Sequence, residues 1–232
     1  MPSVANVELK SKRFIPATGR LAKVARNLVH RQLASLHTGC LQIEEDGDFF
    51  CPCNDLLIQI APNFQTDTLL TTRSPITQIQ RKTANQIYLL NAGKLGPHND
   101  PKGSLTLFDQ KENKTTLIKD GLYRPVYLNQ QESDLLISEY GNDVGRLTKL
   151  NTTNNSTKAL IKLSGSYRTY EMDIDRDGQK EIIGQFSQAR EGVYCFREKS
   201  DGEYTAEPLI TFPSAFGFSD LDTADINNDG YT

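Results

Sequence analysis

Residues 55 to 232 predict an all-β architecture, and three observations carry that prediction. Short runs rich in β-branched and apolar residues recur, such as Leu56-Leu57-Ile58-Gln59-Ile60, Thr68-Leu69-Leu70-Thr71 and Gln86-Ile87-Tyr88-Leu89-Leu90. They are parted by Pro, Asn, Gly and Asp, the punctuation of strands and turns. No helix-period segment of comparable length follows them. The runs also repeat as units, which is the sign of a modular sheet protein.

Before residue 55 the chain has a different character. Residues 1 to 18 show no convincing period. Leu21, Val24, Ala25, Leu28, Val29, Leu33 and Leu36 then fall mostly at three- and four-residue steps, with Arg20, Lys23, Arg26 and Arg31 on the other faces. That pattern predicts a basic amphipathic helix packed on the domain, with a membrane-surface or targeting role as the alternative. No uninterrupted apolar core or small-residue cleavage site of a secretory signal is present. Residues 38 to 54 read as loop or linker, so the expected division is an N-terminal helical and linker segment at 1–54 and a sheet domain at 55–232.

Three stretches of the sheet domain align. Ile87-Tyr88-Leu89-Leu90 leads to Gly103-Ser104-Leu105-Thr106-Leu107-Phe108 and on to Thr115-Thr116-Leu117-Ile118. Asp134-Leu135-Leu136-Ile137 leads to Gly145-Arg146-Leu147-Thr148-Lys149-Leu150 and on to Lys158-Ala159-Leu160-Ile161. Glu181-Ile182-Ile183 leads to Gly192-Val193-Tyr194-Cys195-Phe196 and on to Glu207-Pro208-Leu209-Ile210. Units of this length with several short strands each are propeller blades. The fold predicted is a partial β-propeller of three to four blades of short antiparallel strands.

One loop carries chemistry. Asp173, Asp175 and Asp177 alternate, Gly178 follows, Gln179 can offer its backbone carbonyl, and Glu181, opening the next strand, closes the loop as a further metal ligand. A near-copy places Asp225, Asn227, Asp229 and Tyr231 at the corresponding positions. Alternate oxygen ligands on a tight turn suit a hard cation that takes six to eight oxygens, so Ca²⁺ is the ion expected. A pair of Asp/Asn-Gly turns is the plainer alternative. An EF-hand would need its bidentate Glu at the twelfth position, where Gly184 stands, and a helix where Glu181-Ile182-Ile183-Gly184-Gln185-Phe186 is of strand type. The helix-opening calcium sensor is disfavoured for the same reason.

The D-x-[DN]-x-D-G-x-x-[DE] pattern of residues 173–181 resembles the loops of FG-GAP/VCBS repeats, found in integrin α-subunit heads and exported bacterial proteins. The second loop matches through its first six positions. In the unit led by Asp134 the preceding loop, Leu128 to Ser133, has lost the Gly and the alternating acids, so it should hold no metal. Because acid-led strands begin two of the units, the calcium loop is expected to join the last strand of one blade to the first of the next. The resemblance implies an extracellular, periplasmic or cell-surface module. It also implies further blades from the same parent chain.

Composition narrows the function. The net charge of −3 divides into +6 over residues 1–40 (seven bases, Glu8) and −9 over the remainder. An acidic body suits divalent cations and argues against nucleic acid. No apolar run approaches a membrane span. Cys40, Cys51, Cys53 and Cys195 lack disulfide-scaffold or zinc spacing, and buried or free thiols are the default. The function expected is a calcium-stabilised binding or scaffold module for a protein or carbohydrate ligand. The long loop from Asn91 to Gly103 is either a recognition loop or a solvated excursion. A propeller-based hydrolase or oxidoreductase is the alternative, although no nucleophile elbow, H-E-x-x-H or phosphate loop is present.

Overall fold

The computed structural model describes residues 42–43, 48–96, 98–131, 133–188, 190–214 and 221–224. The basic helix expected over Arg20 to His37 lies outside them. Within them every regular element is a strand. Sixteen strands form four antiparallel four-stranded sheets, each built from consecutive strands. The first holds β1 (Gln42–Ile43), β2 (Phe49–Cys53), β3 (Leu56–Ile60) and β4 (Thr66–Thr71). The second holds β5 (Ile76–Thr83), β6 (Gln86–Asn91), β7 (Gly103–Asp109) and β8 (Lys114–Leu122). The third holds β9 (Pro125–Gln131), β10 (Asp134–Glu139), β11 (Arg146–Asn151) and β12 (Thr157–Ile161). The fourth holds β13 (Ser166–Met172), β14 (Glu181–Phe186), β15 (Gly192–Glu198) and β16 (Tyr204–Thr211).

These are four propeller blades. The first strands, β5, β9 and β13, contact one another from blade to blade and are innermost. The last strands, β4, β8, β12 and β16, are the most exposed. Innermost strands leave one ladder edge open, and backbone groups buried there need partners. Side chains supply them. Gln78 of β5 donates its amide to Leu128 O at 3.0 Å, and its carbonyl accepts from Leu128 N–H. Asn129 of β9 donates to Thr169 O at 2.9 Å.

The core lies between blades. Strand side chains alternate faces, and in β6, β10 and β14 both faces are covered, which explains their continuous apolar runs. Ile87 and Leu89 of β6 pack with Phe50 and Leu57 of the first blade, whereas Tyr88 and Leu90 pack with Leu128, Leu135 and Ile137 of the third. Leu136 of β10 turns the other way, against Ile182, Phe186 and Phe196 of the fourth.

Two expectations are corrected. Phe49–Cys53, read as linker, is a strand paired with β3 throughout its length. Pro52 obscures it in the sequence. The described pairing with β1 reaches only Phe50, so the missing N–H of Pro52 costs no ladder bond on that side. The loop 173–181 does not join two blades. It connects β13 to β14 inside the fourth blade. The inner strands β5, β9 and β13 carry mixed polar residues such as Gln78, Asn129 and Thr169, so they escape an apolar pattern search, and each aligned unit starts one strand too late.

Candidate metal centre

Strand β13 ends at Met172 and β14 begins at Glu181, so residues 173–180 must reverse the chain between paired neighbours. The turn curls around Asp173. Its Oδ1 accepts from Asp177 N–H at 3.2 Å and its Oδ2 from Gly178 N–H at 2.9 Å. Asp177 Oδ1 accepts from Gln179 N–H at 2.8 Å. Gly178 has φ +87° and nothing within 4 Å of a built Cβ, so conformation and not space requires glycine there.

One carboxylate oxygen from each of Asp173, Asp175 and Asp177 lies within 4.8 Å of the others. Two ligands at Ca²⁺–O distances of about 2.3–2.6 Å can be no more than about 5.2 Å apart. The three acids therefore fit one hard cation. Without one, each pair repels by roughly 1 kcal/mol even at the dielectric of water.

Gln179 and Glu181 behave differently. The Gln179 amide donates to Asp177 Oδ2 at 3.4 Å. Glu181 stands outside the three-carboxylate group and is 4 % exposed. Its Oε2 accepts from Ile174 N–H at 3.1 Å and its Oε1 from Arg197 at 2.9 Å. The same Arg197 nitrogen reaches Asp175 Oδ2 at 2.7 Å, and that bond raises the guanidinium pKa above its ordinary value. Asp225, Asn227, Asp229 and Tyr231 lie outside the described residues.

The other blades explain Glu181. In the second and third blades the residue opening the second strand bonds the residue closing the third. Gln86 donates to Asp109 at 3.0 Å, and Asp134 accepts from Asn151 at 2.8 Å. Glu181 with Arg197, one residue before the end of β15, is the comparable cross-strand tie in the fourth blade. In the second and third blades the partner also caps the next turn, since Asp109 Oδ1 accepts from Lys111 and Glu112 N–H and Asn151 Oδ1 from Thr153 and Asn154 N–H.

A second site went unread in the sequence. Antiparallel strands put the links β8–β9, β10–β11, β12–β13 and β14–β15 at the end of the blades opposite the Asp loop. There they line an open cavity of about 860 Å³, with Tyr123, Asp143, Arg146, Lys162, Gln188 and Arg190 among its residues. Beneath it Glu139, fully buried, accepts from Tyr123 N–H at 2.7 Å, Arg146 Nε at 2.8 Å and the Thr148 hydroxyl. Arg146 lies over the Tyr123 ring at 4.9 Å. The long loop after Asn91 is pinned beside this cavity. Asn99 donates to Asp143 Oδ2 at 3.1 Å and accepts from Asp143 N–H at 2.9 Å. His98 braces the same loop, bonding Lys94 O at 2.8 Å and Asp100 N–H at 3.1 Å. The one sequence signal for Glu139 is an acid ending an apolar strand, in the place Asn91 holds in β6.

The described thiols, Cys51, Cys53 and Cys195, are disfavoured as ligands. Burial, then the neighbouring Cys53, pushes Cys51 up to about 11, and burial also raises Cys53 and Cys195. Protonated thiols are poor metal ligands and nucleophiles.

The acid-lined turn and the strand that follows it decide the family likeness. Residues 173–232 match the FG-GAP-like repeat. No curated protein matches the chain significantly in sequence. Among solved structures, the extracellular domain described as that of a hybrid two component system from B. thetaiotaomicron aligns with TM-score 0.56 and 10% identity over 75% of this chain and 22% of that one. A chain of a nidogen/laminin complex aligns with TM-score 0.51 and 9% identity over 68% of this chain and 59% of that one. At such identities the likeness is one of fold, and this chain spans only part of either protein. The fold is that of a β-propeller, and residues 173–232 are similar to an FG-GAP-like repeat. Among the described residues no helix is long and apolar enough to cross a membrane.

Proposed function

We propose that the protein is a calcium-stabilised β-propeller binding module that takes a protein or glycan ligand outside the cytosol, in an extracellular, periplasmic or cell-surface setting. The observation that supports it best is the grouping of Asp173, Asp175 and Asp177 on a turn that otherwise concentrates negative charge. These three side chains would hold the ion, which would supply a positive centre tying the turn together. Gln179, through its carbonyl, and the second loop (Asp225, Asn227, Asp229, Tyr231) are further ligands in this reading. Glu181 contributes from behind, holding Ile174 N–H and Arg197 in place.

Sites of extracellular type bind Ca²⁺ with Kd of about 10⁻⁴–10⁻³ M. At about 2 mM Ca²⁺ one such site adds roughly 0.6–1.8 kcal/mol of stability. For a chain of this size that raises the melting temperature by about 2–6 °C. Such a site would stand empty at cytosolic calcium, which supports the compartment proposed. The test is thermal melting in Ca²⁺ and in EGTA, with Asp175→Asn and Asp177→Asn beside the parent. The parent should melt higher in Ca²⁺ and both variants should lose the difference. Equal melting of the parent in the two buffers would refute the reading.

A further inference from the structure

We propose that the cavity at the end of the blades opposite the Asp loop binds an acidic oligosaccharide, whose carboxylate or sulfate groups are held by Arg146, Lys162 and Arg190. This assignment deepens the binding-module reading and rests on it. The residues after position 40 carry a net charge of −9, yet three of the cavity's charged lining residues are basic and one is acidic. The single acid is already engaged, because Asp143 Oδ2 accepts from both Asn99 and Asn142 at 3.1 and 3.0 Å. Glu139 below is fully buried and bonded on both oxygens, one by Arg146 and Thr148 and the other by Tyr123 N–H. Among the described residues Lys162 and Arg190 are exposed and have no protein partner. With Asp143 and the buried Glu139 set against Arg146, Lys162 and Arg190, the cavity keeps a net positive charge inside an acidic domain.

Arg146 is the pre-organised member. Glu139 fixes its Nε, and the Tyr123 ring lies under the guanidinium, so its terminal nitrogens are aimed without further loss of side-chain freedom. Lys162 and Arg190 come from the two flanking links and add charge at the rim. The neutral lining suits hydroxyls. Ser164 Oγ accepts from Gly145 N–H at 3.0 Å and keeps its own proton to donate, and Gln188 donates to Gly141 O at 3.3 Å and keeps its carbonyl to accept. Gln188 is held there at φ +61°. About 860 Å³ lies in the range of roughly 300–1,000 Å³ typical of small-ligand sites. A peptide would be expected to seek an open strand edge or apolar anchor pockets. This cavity is lined mainly by links between strands, with Val144 and Leu163 the aliphatic side chains among its polar and charged ones.

The experiment is calorimetric titration of the full chain at low salt with four probes: a hyaluronan tetrasaccharide, a heparin tetrasaccharide, maltotetraose and tetraglutamate. At least one acidic saccharide should bind, at least tenfold more tightly than maltotetraose or tetraglutamate, and added salt should weaken it. Hyaluronan against heparin separates carboxylate from sulfate. The Lys162→Ala/Arg190→Ala double variant, which removes two exposed side chains, should keep the parent's melting temperature and lose at least tenfold in affinity. Equal binding of maltotetraose or of tetraglutamate, an unaffected double variant, or no binding of either acidic saccharide overturns the proposal. Calcium-dependent melting without saccharide binding would sink this assignment and leave the calcium reading intact. Saccharide binding without calcium-dependent melting would do the reverse.

Discussion

Replacing Glu139 tests whether the floor of the cavity is a structural tie within the third blade and to the link that enters it. The carboxylate is fully buried and accepts three bonds, from the β8–β9 link through Tyr123 N–H at 2.7 Å and from β11 through Arg146 Nε at 2.8 Å and the Thr148 hydroxyl. Glu139→Ala strands all three donors. A buried donor left unsatisfied costs about 1–3 kcal/mol, and bonds to a charged group contribute about 1.5–3 kcal/mol each. Arg146 is 31 % exposed and can turn to water, so its loss belongs near the low end. The sum, discounted for water entering the gap, is about 3–4 kcal/mol. That is a large share of a total of about 5–15 kcal/mol. With a urea slope of about 3 kcal/mol/M the midpoint should fall by about 1–1.5 M. Glu139→Gln keeps the volume but turns an amide NH₂ toward donors, and should cost roughly half as much. Urea unfolding followed by circular dichroism reads both. A midpoint for Glu139→Ala within about 0.3 M of the parent would refute the idea that this carboxylate ties the third blade together.

Two further outcomes follow from the same contacts. Arg197→Gln removes the cation that bridges Asp175 and Glu181, so the ion-free protein should melt lower while Ca²⁺ binds several-fold more tightly by calorimetry; unchanged calcium affinity would mean that Arg197 does not share the site. Cys51 and Tyr204 are pushed up to about 11 and about 12, chiefly by burial, so the unfolded chain loses these protons first and stability should fall between about pH 9 and 12. Urea midpoints in reducing buffer should show a shallower loss from pH 9 to 11 for Cys51→Val than for the parent.

The fold was legible where both faces of a strand are buried. Ile87 to Leu90 and Leu135 to Ile137 are second strands sandwiched between neighbouring blades, and Ile182 to Ile183 is likewise buried on both faces, so their apolar runs announce them. The innermost strands were not legible. Gln78, Asn129 and Thr169 spend their polar groups on the backbone and side chains of a neighbouring blade, a use that imitates a loop in a hydropathy reading. That gap shifted each unit by one strand and misplaced the Asp loop between blades. Asp173, Asp175 and Asp177 were legible because alternation and Gly178 encode the turn locally. The cavity was not, since Tyr123, Lys162 and Arg190 come from separate links and Arg146 from the start of β11, and only the stacking of blades brings them together.

The two ends of the blades divide the work, and the second strand shows how. Its first residue, Gln86, Asp134 or Glu181, bonds the end of the third strand and steadies the end where the Asp turn lies. Its last residue faces the opposite end. Asn91 there donates to Ser74 O at 3.1 Å and Glu139 accepts from Tyr123 N–H, each holding the link that enters its own blade. In the fourth blade Phe186 takes this place and the following Ser187 donates to the Tyr140 hydroxyl at 2.8 Å, reaching back to the third. The variable last residue thus changes what the links can present while the strand pairing stays the same. Only where it is a carboxylate is an arginine drawn beneath the links, and that is where the cavity carries its anchored positive charge.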